Sequence, residues 1–133
     1  LLCTTTSYGT FPIWHKDADL CMFDLSTGAQ VPTEEANSPD TDSYHSWSSN
    51  SKWVVFSSRR LDGLYTRPFI AHVGERGVLS KPFVLPQKST EYYTFLTKSY
   101  NIPEFVKGKV KTDTYKLVSQ NKRREKPADL IYK

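Results

Sequence analysis

Several things are scarce in this chain, and each scarcity excludes a class of protein. No apolar run approaches the ~20 residues needed to cross a bilayer as a helix. Good helix formers are thinly spread and no long stretch repeats at helical spacing, which argues against a helical bundle. There is no glycine-rich phosphate loop. Neither Ser46 nor Ser48 stands in a nucleophile elbow, so hydrolase chemistry has no support within this segment. Cysteine is limited to Cys3 and Cys21, without zinc-site spacing. The pair reads as two small buried hydrophobes and does not fix the redox compartment. An initiator methionine and a signal peptide are also missing. The chain opens at Leu1-Leu2-Cys3-Thr4, already strand-like, as expected of a piece or a processed form of a longer protein.

What is abundant points to strands. Aromatics make up 14% of the 133 residues, and with Val and Thr they suit half-buried pleated surfaces. Eight prolines and six glycines, among many Ser, Thr, Asn and Asp, supply frequent turns. The expected class is all-β. The net charge of +4 is unevenly placed: residues 107–133 hold nine Lys and Arg against three Asp and Glu, leaving the body slightly acidic. A near-neutral body argues against nucleic-acid binding. The run Lys122-Arg123-Arg124-Glu125-Lys126 reads as a solvated terminus, with a short helix expected near 114–121.

A weak repeat runs through the first two thirds. One unit comprises Thr10–His15 as a strand, the loop Lys16–Asp19, the strand Leu20–Leu25 and a turn at Gly28. The other comprises Lys52–Ser58, a longer loop from Arg59 to Arg67, the strand Phe69–Val73 and a turn at Gly74–Gly77. Trp14 and Phe56 lie 42 residues apart, and Gly28 and Gly77 lie 49 apart. Offsets in the forties suit the four-stranded blade of a β-propeller. Gly28, Gly74 and Gly77 are expected to supply positive φ for hairpins. Lys81–Pro86, bounded by prolines, reads as an outermost strand. Glu91–Leu96 reads as a helical turn or a strand, and Ser99–Val106 as extended. This divides the chain into the end of one blade at 1–36, a second blade at 37–86, a closing segment at 87–106 and a basic tail at 107–133. Trp14, Trp47 and Trp53 are expected in the core between blades.

The stretch Trp47-Ser48-Ser49-Asn50-Ser51-Lys52-Trp53-Val54-Val55-Phe56-Ser57-Ser58-Arg59-Arg60 resembles the WD-repeat-like blade motif of the TolB family, with Asn50-Ser51 where that pattern has Asp-Gly. Residues 11–28 are similar to the later part of a preceding blade. From Tyr8 to Phe105 the chain also looks like the C-terminal part of long TolB-like proteins of Bacteroidetes. The resemblance implies two blades of a larger propeller in a periplasmic or cell-surface setting. It implies a non-catalytic binding module whose partner is an envelope protein or an acidic glycan. Isolated blades would expose apolar faces, to be covered by further blades of the parent chain or by self-association.

In an antiparallel blade the loop between its two middle strands and the connection into the blade share one rim. That rim would carry Asp42, Tyr44, His45, Arg59, Arg60, Asp62, Tyr65 and Arg67 as partner-binding residues, since loops on a rigid scaffold collect such groups. The arginines bring forks suited to carboxylates. The plainer alternative is local ion pairing with Asp42 and Asp62. His15 and His45 lie at the same rim and could supply part of a divalent-metal site. The alternatives are that His15 sits in a solvated turn and that His45 bonds a neighbouring blade. No cofactor is otherwise expected. A second function is implied by the likeness to propellers that act as lyases on acidic oligosaccharides: the histidines would hold metal, and Arg59 or Arg60 a uronate carboxylate. His72 reads as structural.

Overall fold

The computed structural model of the chain describes residues 1–122. Residues 123–126 of the basic run lie outside the described residues. The chain is all-β in its main body, with seven strands in two antiparallel sheets. The first sheet is three-stranded, in the order β1 (Leu2–Thr5), β2 (Asp19–Phe23), β3 (Gln30–Val31). The second is four-stranded and strictly sequential: β4 (Asp42–Trp47), β5 (Trp53–Ser58), β6 (Arg67–His72), β7 (Phe83–Val84). Two helices come after them, α1 (Tyr92–Phe95) and α2 (Thr114–Lys122). Among the described residues neither sheet closes on itself.

Alternation along the strands builds the core. Val54 and Phe56 of β5 stand opposite Ala71 and Phe69 of β6. These four side chains cluster with Leu2, Leu20, Met22 and Val31 of the first sheet, so the two sheets pack face to face through one apolar layer. Ala36 and Leu79 complete it from the connections. The linker between the sheets is fastened by side chains that imitate a strand: the Asn37 amide accepts from Leu20 N–H and donates to Leu20 C=O, both at 2.9 Å.

Two irregularities shape the second sheet. In β4, Ser43 pairs with Ser57 and Ser46 with Val55, so Tyr44 and His45 together oppose Phe56. This is a β-bulge, and Tyr44 takes the left-handed conformation at φ 49°. The second irregularity is Pro68 in β6. It stands opposite Leu85, whose N–H donates to Pro68 C=O at 2.8 Å. Proline cannot return the bond. The Leu85 carbonyl is satisfied instead by the Tyr93 hydroxyl at 2.8 Å.

The segment after β7 therefore folds back onto the second sheet. Ser57 Oγ donates to the carbonyls of Tyr100 and Asn101 at 2.7 and 2.8 Å. Tyr100 N–H donates to Thr66 C=O at 3.0 Å. Tyr93 is buried in this docking.

Several expectations need correction. Thr10–His15 is not a strand. Phe11 sits at φ 58° and Pro12 opens a 3-10 turn, Pro12–Trp14. The strand equivalent to β5 is β1, at the very start of the chain, and the intervening loop is correspondingly longer. The three tryptophans do not fill the core. Trp14 is 71% exposed, and Trp47 and Trp53 are 37% and 36% exposed. Trp14 rides on the loop, whereas Trp47 and Trp53 flank the β4–β5 turn at the sheet end. Trp53 packs edge-on against His72, the exposed last residue of β6, at 5.0 Å between ring centroids. Gly28 and Gly77 take positive φ as expected, but Gly74 does not; Arg76 does, at φ 60°. Ser51, in the position of the motif's glycine, adopts φ 57°. Glu91–Leu96 resolves into the turn α1, and α2 covers the anticipated helix.

Candidate functional site

Three connections meet at one end of the sheets: the loop between β1 and β2, the linker entering β4, and the loop between β5 and β6. Backbone and side-chain bonds join them. Thr41 Oγ1 donates to His15 C=O at 2.7 Å. Asp42 N–H donates to Ala18 C=O at 2.7 Å, and Arg59 N–H to Thr41 C=O at 3.1 Å. These bonds join the three connections, and the residues expected on the rim divide sharply in what they are free to do.

Arg60 is committed inward. Its Nη2 lies 2.7 Å from Asp42 Oδ1 and donates to Ala36 C=O at 2.6 Å, while Nε donates to Ser58 Oγ at 2.8 Å. Its guanidinium lies over the Phe69 ring at 4.7 Å. Asp42 is fully buried, and its second carboxylate oxygen accepts from Ser38 N–H at 2.7 Å and Ser38 Oγ at 2.8 Å. These two residues form the local ion pair of the plainer alternative.

Arg67 does not reach the rim surface at all. It is 1% exposed. Nη2 donates to the carbonyls of Leu96 at 2.7 Å and Tyr93 at 3.1 Å, and Nη1 donates to Lys98 C=O. Tyr65 and Tyr93 flank its guanidinium at 5.0 and 5.5 Å. Asp62 approaches Arg67 only at 3.6 Å. Its other oxygen caps the turn by accepting from Leu64 and Tyr65 N–H, each at 2.8 Å. Arg67, Asp62 and Tyr65 therefore hold the loop and the returning C-terminal segment.

Arg59 is different. It makes no ion pair among the described residues, and its Nε is buried without a hydrogen-bond partner. Its guanidinium lies over the exposed Trp14 ring at 5.1 Å. Beside it a shallow cleft of about 380 Å³ is lined by Lys16, Asp40, Arg60 and Asp62. Sequence reasoning did not assign Trp14 or Lys16 to the site. Their adjacency to His15, in a loop expected at this rim, was the available signal.

The two histidines sit in unlike surroundings. His15 Nε2 lies 3.0 Å from Thr10 C=O, and the ring meets Tyr8 edge-on at 4.7 Å. His45 comes directly after the bulge residue Tyr44 and is half-buried. Burial holds its pKa below the ordinary imidazole value, and its Nδ1 is buried without a hydrogen-bond partner. Among the described residues no three His, Cys, Asp or Glu side chains gather as a metal site would require.

The depressed His45 pKa has a sign for stability. As pH falls below about 6.5, the unfolded chain takes up a proton that the folded chain still refuses. Stability is full above that value and declines as pH drops toward the lower folded pKa. Urea midpoints measured at about pH 7.5 and about pH 5.5 are expected to differ less in His45→Gln than in the parent. An equal loss in both proteins would remove His45 as the cause.

A larger groove of about 750 Å³ opens at the other end of the sheets, where Met22, Trp47 and Val78 give it an apolar lining. The charged side chains at its margin are Asp24 and Arg76, and none of the rim's residues reaches it. Comparison with protein-family models, with curated proteins and with solved structures finds no match to this chain.

Proposed function

We propose that the chain belongs to a non-catalytic binding module, and that the rim around Arg59 receives an acidic protein partner. In this proposal the two sheets are neighbouring blades of a TolB-like propeller, and the partner is a protein of the cell envelope. The sequential meander of the second sheet, its face-to-face packing on the first and the gathering of three connections at one end all support that architecture. Large apolar side chains such as Tyr8, Phe11 and Leu25 stand exposed, as expected if further blades or another copy cover them.

The observation that carries the proposal is the contrast among three arginines. Arg60 and Arg67 direct their Nη donors to internal acceptors, although Arg67 Nε, like Arg59 Nε, is buried without a partner. Of the three, Arg59 makes no side-chain hydrogen bond or ion pair among the described residues, and it rests on an exposed tryptophan. An arginine fork backed by an aromatic face suits a carboxylate, and Arg and Trp are the residue types that dominate binding energy at interfaces.

The proposal is tested by titrating the protein with an Asp/Glu-rich peptide and, separately, with an oligogalacturonate, at low and high salt. Peptide binding that weakens with salt is expected, and it should fall at least about tenfold in Arg59→Ala and in Trp14→Ala, with thermal stability retained. Oligogalacturonate binding alone would transfer the rim to acidic glycans. Binding untouched by Arg59→Ala, or no binding to either probe, would remove the rim from consideration.

A further inference from the structure

The outer face of the first sheet holds a pair of thiols placed directly across from one another. Leu2, Leu20 and Met22 point into the core, so the alternate residues Cys3 and Cys21 share the opposite face. They are register partners of β1 and β2. Leu1 and Phe23, two positions along, exchange both backbone bonds at 2.6 and 2.7 Å. The alternation of an antiparallel ladder gives Cys3 and Cys21 the same hydrogen-bonded arrangement, with Cα atoms about 5.5 Å apart. That falls inside the range of about 4.4–6.8 Å that disulfides span. Opposed Cβ atoms in a hydrogen-bonded pair sit toward the wide end of about 4.5–5.5 Å, so closure to the roughly 3.5–4.5 Å of a disulfide needs a movement of about 1–2 Å. Among the described residues β1 is paired to β2 alone. Cys3 Sγ already leans across, 3.4 Å from the Cys21 carbonyl oxygen.

We propose that Cys3 and Cys21 are a modification site that closes a reversible cross-strand disulfide, with a small-molecule disulfide or a dithiol–disulfide oxidoreductase as the oxidant. The two thiols are unequal in a way that orders the steps. Cys3 is partly exposed and Cys21 is buried. Burial, together with the neighbouring Cys3 sulfur, raises the Cys21 thiol pKa. Cys3 therefore reacts first. Its thiolate attacks one sulfur of the oxidant, the oxidant's S–S bond breaks, and a thiolate leaves. Cys21 then loses its proton and attacks Cys3 Sγ, forming the intramolecular S–S bond and expelling the second thiolate. The two protons released by the cysteines end on the two leaving thiolates. Two electrons pass from the protein sulfurs to the oxidant, which departs as two thiols.

The bond would close a ring from residue 3 to residue 21 that contains the whole loop bearing Trp14 and His15. Oxidation would tie both ends of that loop covalently, adding to the ladder and to the bonds that His15 and Ala18 make with the linker before β4.

The decisive experiment incubates the folded full chain with excess oxidised glutathione. It is then denatured, alkylated, and weighed intact beside a reduced control. The expected product is a monomer two hydrogens lighter than the reduced chain, with no alkyl group and no glutathione. Cys21→Ser, treated in the same way, should keep one glutathione on Cys3, because the resolving thiol is gone. Two alkyl groups on the parent chain, glutathione retained on either of its cysteines, or a disulfide-linked dimer would each overturn the proposal. The outcome on the parent chain decides the matter even if the variant fails to fold.

Discussion

Replacing Arg67 with methionine is expected to destabilise the protein by about 3–5 kcal/mol, one of the two largest effects of any single substitution proposed for this chain. The side chain is 1% exposed and donates to three carbonyls, those of Tyr93, Leu96 and Lys98. Methionine keeps much of the volume, so the loss reports the polar contacts and not a cavity. Each abandoned carbonyl costs roughly 1–3 kcal/mol unless water reaches it. Arg67→Lys is expected to recover less than half of the loss, since an ammonium is a point charge and cannot reproduce a planar fork serving separated acceptors. Urea unfolding gives the stability. Limited proteolysis gives the location, because the segment around residues 87–101 should become sensitive before the sheets do. A methionine variant within about 1 kcal/mol of the parent would show that the carbonyl cluster is not what holds the segment down.

Asp42→Ala is expected to cost about 3–4 kcal/mol. The carboxylate has no solvent exposure and serves Arg60 on one oxygen and Ser38 on the other. Truncation leaves a guanidinium whose side chain is only 16% exposed without its counter-charge, and leaves Ser38 N–H without an acceptor. Arg60→Ala should be nearly as damaging, because it strands the carboxylate. The double variant Asp42→Leu/Arg60→Met should be less destabilised than the two single losses added together, since no buried charge remains. A cycle of denaturation midpoints measures that coupling. Strict additivity would mean that the pair contributes nothing beyond its separate members. Loss of partner binding in Arg60→Ala has to be interpreted beside these stabilities, whereas Arg59→Ala is free of the complication.

Strands and turns were more legible in the sequence than the fates of single charged side chains. The strands of the second sheet could be read because Val54, Val55, Phe56, Phe69 and Ile70 are β-branched or aromatic in short runs between turn residues. Leu1–Thr4 also read as strand-like, and β1 covers Leu2–Thr5. Gly28 and Gly77 marked hairpins because positive φ is nearly free for glycine. The Asp42–Arg60 ion pair stood among the alternatives because opposite charges stand at the start of one strand and the end of its antiparallel partner, which lie side by side. Trp14 was misplaced because Thr10–His15 has strand-like composition. Its backbone is decided instead by Pro12, whose fixed φ suits the first residue of a helical turn. The fate of Arg67 had no local signature, since its three acceptors lie 26 to 31 residues further on. A buried arginine bound to carbonyls looks, in one dimension, like any exposed one.

Pro68 also has a role in specificity. β7 is only two residues long, so pairing alone gives it little means of choosing where along β6 to attach. A slip of one residue would turn its side chains to the wrong face. A slip of two would keep the faces but set a different carbonyl opposite the imide nitrogen, out of reach of the Tyr93 hydroxyl that now serves Leu85. One phenolic oxygen, supplied from a helix eight residues beyond the carbonyl it serves, thus acts as an address label. It makes a single alignment of the outermost strand cheaper than its neighbours, and it gives a stray strand from another molecule no equivalent place to settle.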